Sequence, residues 1–337
     1  MAEEIIIKRA VLHILDNNVT MPVLSDRELD IDEDRSNFIG KHIERIMSDN
    51  NAKMARFSDA PNFIRDICCE IKLNPDFFLQ GSIGIAEGLF SIMQKNVDIP
   101  PADLICCLFY YESQPHLGIL KLNYKTGYTH YVEQGEEGNI NTIIRYRTLL
   151  PSESQKADEC VLINLESLEM KLIEKVYEIN GEREYYFSGM FLNCTTQLSD
   201  NEKVKIINKV AQKINKKYYD EDFETAAKLK KAISDSFEET KAIQLDNLVE
   251  EVFDKNIEIR NEYMEEIHKA GLTEKSIPIP EKLAEKKFRT HRIKTDTGIE
   301  INFPPSFYNN KEKIEFVNNS DGTISIIIKN VGKIINK

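Results

Sequence analysis

The chain has 337 residues, 41% hydrophobic and 30% charged, with 44 Lys or Arg against 56 Asp or Glu and a formal net charge of −12 at pH 7. This length exceeds a single core, and the composition excludes a disordered or fibrous chain in favour of two or three globular domains. No run approaches the ~18–20 consecutive apolar residues of a bilayer-spanning helix, and Glu3 and Glu4 lead into Ile5, Ile6 and Ile7 without a cleavable signal pattern, so the expected compartment is the cytoplasm.

Ile5 to Asp16 is rich in Ile, Val and Leu and reads as a strand, with Val19 to Ser25 as its hairpin partner across Asn17 and Asn18. Apolar residues then recur at helical spacing over Asp34 to Asn50, Ala60 to Leu73 and Pro75 to Lys95. Gly81, Gly84 and Gly88 in the third of these helices mark close helix contacts. From Leu104 the pattern turns to strands: Leu104 to Tyr111, His116 to Tyr124, Tyr128 to Val132, Cys160 to Leu165, Met170 to Tyr177 and Glu184 to Phe191. Together they predict one antiparallel sheet, with Asn180 and Gly181 as a hairpin turn.

Ser199 and Glu202 form a capping-box signature, and the helix they open carries Val204, Ile207, Ala211 and Ile214 on one face. Lys205, Lys209, Lys213 and Lys216 fall on the opposite face, where they form either a phosphate-binding stripe or the solvated outside of a packed helix. Further helices are expected over Phe223 to Glu239, Leu245 to Phe253 and Ile257 to Ala270, the last stopped by Gly271. These charged helices are the expected oligomerisation or partner-binding element. Ile277 to Pro280 reads as an extended connector. Beyond it, Ile293 to Thr295 with Ile299 to Phe303, and Ile314 to Val317 with Thr323 to Lys329, predict two hairpins, the second turning on Asp321 and Gly322 in a type I′ geometry. The expected fold class is α+β: an antiparallel-sheet-plus-helices domain over 1–195, a helical region over 196–275 and a small basic β-rich region over 276–337.

Chemistry-bearing motifs are sparse. The sequence contains no phosphate-binding loop, dinucleotide fingerprint, nucleophile elbow or His-Glu-x-x-His, and no cofactor or metal is expected. Cys68, Cys69, Cys106, Cys107, Cys160 and Cys194 lack metal spacing and read as buried small hydrophobes in a reducing compartment. His13, inside an apolar strand, reads as a hydrogen-bonded structural residue, and His116 and His130 could approach across the sheet. Asp158 with Glu169 and Lys171 offers the acidic residue and Glu-x-Lys of a metal-dependent nuclease, a pattern that chance readily supplies in so charged a chain.

Residues 286 to 294 are the most informative segment. Lys286, Lys287, Arg289, Arg292 and Lys294 place five cations in nine residues without a carboxylate, interleaved with Phe288 and His291. From Lys286 to Lys337 there are ten Lys or Arg against five Asp or Glu, a local +5 that leaves −17 on the preceding residues. Only cations within about one Debye length (roughly 8–10 Å) of a ligand matter, so an acidic protein with a basic strip can still bind a polyanion. The five cations would contact phosphates and release counterions, with His291 or Phe288 against sugar or base. On an edge strand, the same charges would instead block sheet-to-sheet aggregation.

The run Thr297, Gly298, Ile299, Glu300, Ile301, Asn302, Phe303, then Lys313 to Phe316 and Asp321 to Ile326, resembles the close of the bacterial nucleoid-associated protein family (NdpA type), and Ile6 to Asp16 around His13 resembles its opening strand. Pro304 and Pro305 depart from that pattern, as does the acidic balance. The resemblance implies a non-enzymatic protein of the cytoplasm and nucleoid, associated with double-stranded DNA and lacking a catalytic residue set. A homodimer would double its phosphate contacts. The alternatives are an adaptor brought to the chromosome by a DNA-processing protein partner, and the nuclease above.

Overall fold

The structure, a computed structural model, describes residues 5–135, 138–220, 223–253, 256–288, 290–307 and 310–335. The chain divides into two compact units, Met1–Ser199 and Asp200–Lys337.

The first unit runs β1 (Ile6–Leu15), α1 (Glu33–Met47), β2 (Lys53–Phe57), α2 (Phe63–Leu73), α3 (Phe78–Lys95), β3 (Ala102–Tyr111), β4 (Gln114–Asn123), β5 (Lys125–Gly135), β6 (Gly138–Leu149), β7 (Glu159–Asn164), β8 (Met170–Ile173), β9 (Tyr177–Ile179), β10 (Glu182–Glu184) and β11 (Cys194–Thr196). Seven of these strands form one sheet in the order β1-β3-β4-β7-β8-β2-β11, with every pair antiparallel. The fold is thus α+β, as the sequence predicts. Strand geometry sends alternate residues to opposite faces. Leu104 and Cys106 join Leu117, Ile119, Val161 and Ile163 in a core with α2 and α3, while Ile105, Cys107 and Phe109 meet Ile39, Ile43 and Ile46 of α1. Both faces are therefore covered, which explains the unbroken apolar run of β3 and the opposite destinations of two adjacent cysteines.

The helices start where their caps dictate: Asp32 accepts from the Arg35 backbone N–H at α1, and Asn62 from that of Arg65 at α2. Pro75–Phe77 makes a short 3-10 turn ahead of α3. A Cβ on Gly81 would come within 3.0 Å of Ile67, and Cβ atoms on Gly84 or Gly88 within 3.3 Å of Phe63, so these glycines do let α3 approach α2 closely. His13 is buried with Nε2 3.1 Å from Ser82 Oγ, and its Nδ1 accepts from the Ser25 backbone N–H. Burial lowers its pKa to about 4. It is the structural histidine expected.

Several expectations are corrected. Val19 to Ser25 forms no strand: its backbone pairs with β1 at the isolated Ile14–Val23 bridge, and Val19, Met21 and Val23 stay exposed and bury little. Glu184 to Phe191 is not a strand beyond β10. Phe187–Phe191 is a π-helical turn, and it brings the tilted Phe187 and Phe191 rings, four residues apart, to 5.2 Å, far closer than an extended strand would. β5 is absent from the main sheet and pairs only with β6, so His130 lies on that hairpin while His116 is buried in β4 against Phe109. Cys69 is exposed, because its neighbour Cys68 occupies the buried face of α2. Asn180 and Gly181 do form the β9–β10 turn, with φ of +53° and +83°.

The second unit runs α4 (Asp200–Tyr219), α5 (Phe223–Thr240), β12 (Ala242–Gln244), α6 (Leu245–Phe253), α7 (Ile257–Lys269), β13 (Ser276–Pro278), α8 (Glu281–Phe288), β14 (His291–Lys294), β15 (Glu300–Phe303), β16 (Ile314–Asn318) and β17 (Ile324–Ile328). The apolar faces of α4, α6 and α7 are buried, with the Tyr263 hydroxyl donating to the Ile207 carbonyl at 3.3 Å. The supposed connector Ile277 to Pro280 instead contributes β13, paired with β12, and Ile277 is fully buried. Beneath the terminal hairpins, Phe303 and Ile314 pack with Ala227 of α5. The β16–β17 turn closes through Asn319 N–H to Thr323 O and Gly322 N–H to Asn319 O. Gly322 has φ of +84° and Asp321 is not in the positive-φ region, so the turn is not type I′. The Asp321 carboxylate accepts from the Thr323 backbone instead, which favours the longer loop.

Candidate nucleic-acid interface

The basic segment is split between two elements rather than carried on one edge strand. Lys286 and Lys287 occupy the last turn of α8, where cations also complement the helix dipole. Both are exposed and neither has an ion-pair partner among the described residues. Phe288 is only 6% exposed and anchors α8, so it is not available to a sugar or base. Arg289 lies outside the described residues, as does the side chain of His291.

On β14 the pleat separates two roles. Ile293 turns inward with its cross-strand partner Ile301 to join the small core on α5. Arg292 and Lys294 take the other face, about 7 Å apart along the strand. Arg292 Nε donates to Asn302 Oδ1 at 2.9 Å, which holds the guanidinium in place while leaving its charge uncompensated. Lys294 sits 3.7 Å from Glu300 in an exposed pair of little energetic weight. The sequence reading omits Lys282, which is exposed one turn before Lys286 on α8; the i, i+4 spacing of two lysines was the available signal.

The stripe on α4 fares differently. All four lysines are exposed, opposite the buried Val204, Ile207, Ala211 and Ile214. Lys213 is tied to Glu266 of α7, beside the neighbouring Lys217–Glu262 pair at 2.7 Å, and Lys216 also has a partner. Lys205 and Lys209 remain unpaired among the described residues. Lys213 thus serves the α4–α7 contact, and Lys205 and Lys209 lie toward the start of the helix.

The nuclease constellation does not assemble. Glu169 is bonded across to Asn164 at one end of the β7–β8 pair, whereas Asp158 precedes β7 at the other, six residues or roughly 20 Å away. Asp158 is held by Lys175 at 2.5 Å, Lys125 at 3.4 Å and Asn123 at 2.9 Å, and these contacts lower its pKa against the raising effect of burial, the largest single influence. Glu169 pairs with Arg56, and Lys171 donates to the Met47 carbonyl. Each of the three is committed to a different neighbour.

The nearby buried cluster is structural in geometry. Lys121 and Glu159, both fully buried and opposite each other on β4 and β7, pair at 2.7 Å. Burial lowers the Lys121 pKa, opposed by Glu159, while burial and the same carboxylate raise those of Tyr177 and Tyr186. No helix among the described residues is long and apolar enough to cross a membrane.

The geometry defines an acidic α+β chain with exposed, uncompensated cations on its second unit. The sequence matches the family described as nucleoid-associated protein YejK over residues 11–336, nearly the whole chain, and the protein belongs to that family. No curated protein matches it.

Proposed function

We propose that the protein associates with the bacterial nucleoid by contacting duplex DNA through Lys286, Lys287, Arg289, Arg292 and Lys294, supplemented by Lys205 and Lys209, without reading base sequence. The observation that carries this reading is the exposure of Lys286, Lys287 and Arg292 without carboxylate partners, in a member of a nucleoid-associated family. Charge supplies the affinity, and nothing in the strip provides a base-specific code. The role is binding rather than catalysis, in the cytoplasm, with a homodimer doubling the contacts. Five phosphate contacts give a log–log salt slope of about −4, so a fourfold rise in salt weakens binding about 250-fold.

A second reading is favoured by the charge of the first unit, whose 19 Lys or Arg and 31 Asp or Glu account for the entire −12. That acidic surface suits a DNA-processing protein partner, which would bring an adaptor to the chromosome. Fluorescence anisotropy with a labelled duplex over a salt series separates the readings: a steep slope supports direct contact, and absent or salt-insensitive binding supports the adaptor. Plasmid incubated with the pure protein and magnesium or manganese stays intact under either binding role, whereas cleavage would overturn both.

A further inference from the structure

The first unit, for all its acidity, holds a basic cavity. A hollow of about 460 Å³ opens at the end of the main sheet, where β1, the β3–β4 hairpin and the C-terminal turn of α2 each contribute residues. Its volume falls within the ~300–1,000 Å³ of small-molecule sites. Ile71, Leu108, Pro115 and Leu165 give it an apolar wall. Lys8, Arg9 and Lys72 also line it, against the one carboxylate of Glu166.

Two consecutive strand residues, Lys8 and Arg9, reach the same cavity because β1 carries a bulge. The register passes from Ile7–Phe109 directly to Arg9–Leu108, so Lys8 is an extra residue without a cross-strand partner. The core records the shift: Ile7 and Ala10 pack on the same side of the sheet, which alternation in an unbroken strand forbids for residues three apart.

The ionic groups around the cavity leave one cation over. Arg9 Nε donates to Glu28 Oε2 at 2.8 Å, and the guanidinium also donates to the Pro75 carbonyl. Lys72 pairs with Glu166 at 2.7 Å in an exposed contact of little weight. Lys8 is exposed and has no carboxylate partner among the described residues. Its Nζ stands 6.0 Å from the centre of the Tyr110 ring, the outer limit of a cation–π contact, and that ring is 41% exposed. An aromatic ring and a free cation beside an apolar wall suit a flat ring that bears one anionic group. An inorganic anion would leave the apolar wall unused, and a chain of phosphates would exceed the single surplus charge.

We propose that this cavity binds a nucleoside monophosphate, with the base against Tyr110 and the phosphate on Lys8, assisted by Lys72. The site belongs to the first unit and does not depend on DNA contact by residues 286 to 294.

Isothermal titration of the intact protein with AMP, GMP, CMP and UMP tests it, beside K8Q and Y110A. At least one of these nucleotides binds. For that nucleotide K8Q weakens binding about 10-fold, through loss of a charge-assisted contact, and Y110A about 5-fold or more, through loss of a stacking face. The matching nucleoside binds more weakly and is indifferent to K8Q, and the matching triphosphate binds no more tightly than the monophosphate. An azido analogue of the bound nucleotide labels β1, β3 or the end of α2 in the intact chain, a readout that stands even where a variant fails to fold. No binding at millimolar concentration, equal affinity for ribose 5-phosphate, variants that bind like the intact chain, or label confined to other segments overturns the proposal. So does a K8Q protein that loses duplex affinity and keeps nucleotide affinity, which would assign Lys8 to DNA.

Discussion

The two units carry the same number of charged side chains and put them to different uses. The first holds 19 Lys or Arg against 31 Asp or Glu, and the second holds 25 of each. In the first, several cations are drawn into the fold: Lys121 is sealed against Glu159, and Lys125 and Lys175 converge on Asp158. In the second, which is neutral overall, Lys286, Lys287 and Arg292 stand clear of carboxylates at the end of a helix and on the outward face of a hairpin. Net charge is therefore a poor guide to polyanion binding. What counts is which cations the fold has left uncompensated.

The sharpest way to break this contrast is to disturb the sealed pair. Lys121→Met leaves the Glu159 carboxylate buried without its cation and should cost about 3–5 kcal/mol in urea unfolding, while K121M/E159L should recover much of that loss. A small loss in K121M would mean that the interior tolerates free charge, and the two units would then differ less than the structure implies. DNA affinity should be unchanged in both variants. Next in size is Gly118→Ala, whose Cβ would lie 2.7 Å from the buried Cys107 Sγ; overpacking of this kind should cost about 1–3 kcal/mol.

A pH titration of stability probes the first unit at finer scale. His13 is held at about 4, below the 6.5 of the unfolded chain, so the unfolded state binds the proton more tightly and stability falls as pH drops from 6.5 to 4. Asp103 opposes it: burial raises its pKa from 3.8 to about 6, so its contribution is present at low pH and is lost as pH rises across that window. Subtracting a His13→Gln profile from that of the intact chain should reveal a loss toward acid, and a flat difference would show that His13 is solvated. The smallest effect is expected on α4. K205Q/K209Q should make the salt slope shallower by up to about 2, whereas K213Q/K216Q should change it less, because Lys213 and Lys216 are already engaged.

Legibility followed how local the causes were. α1 through α7 could be read from apolar spacing and caps, since their buried faces repeat within a few residues. β2 escaped notice because Lys-Met-Ala-Arg-Phe is short and half polar, and only its pairing with β8 and β11, more than a hundred residues away, makes it a strand. The segment Tyr185 to Phe191 was ambiguous in the usual way of a short aromatic run, which a strand or a helical turn can bury equally well. At the candidate interface, the sequence identified the five cations and the two hairpins but not α8, whose anchors Leu283, Ala284 and Phe288 are too few to show a period. It therefore cast Phe288 as a ligand contact when it is a packing residue. The α4 stripe was legible as a pattern, but its partial neutralisation by α7 was not, because Glu266 is distant from Lys213 in sequence and adjacent only in the fold.

The measurement that bears most directly on the account is duplex binding across a salt series for the intact protein beside K286Q/K287Q/R289Q/R292Q/K294Q. The intact chain should show a log–log slope of about −4 or steeper, and the variant should bind far more weakly with a slope no steeper than about −2, that of Lys205 and Lys209. Equal affinity and equal slope in the two proteins would contradict the assignment of DNA contact to these five cations.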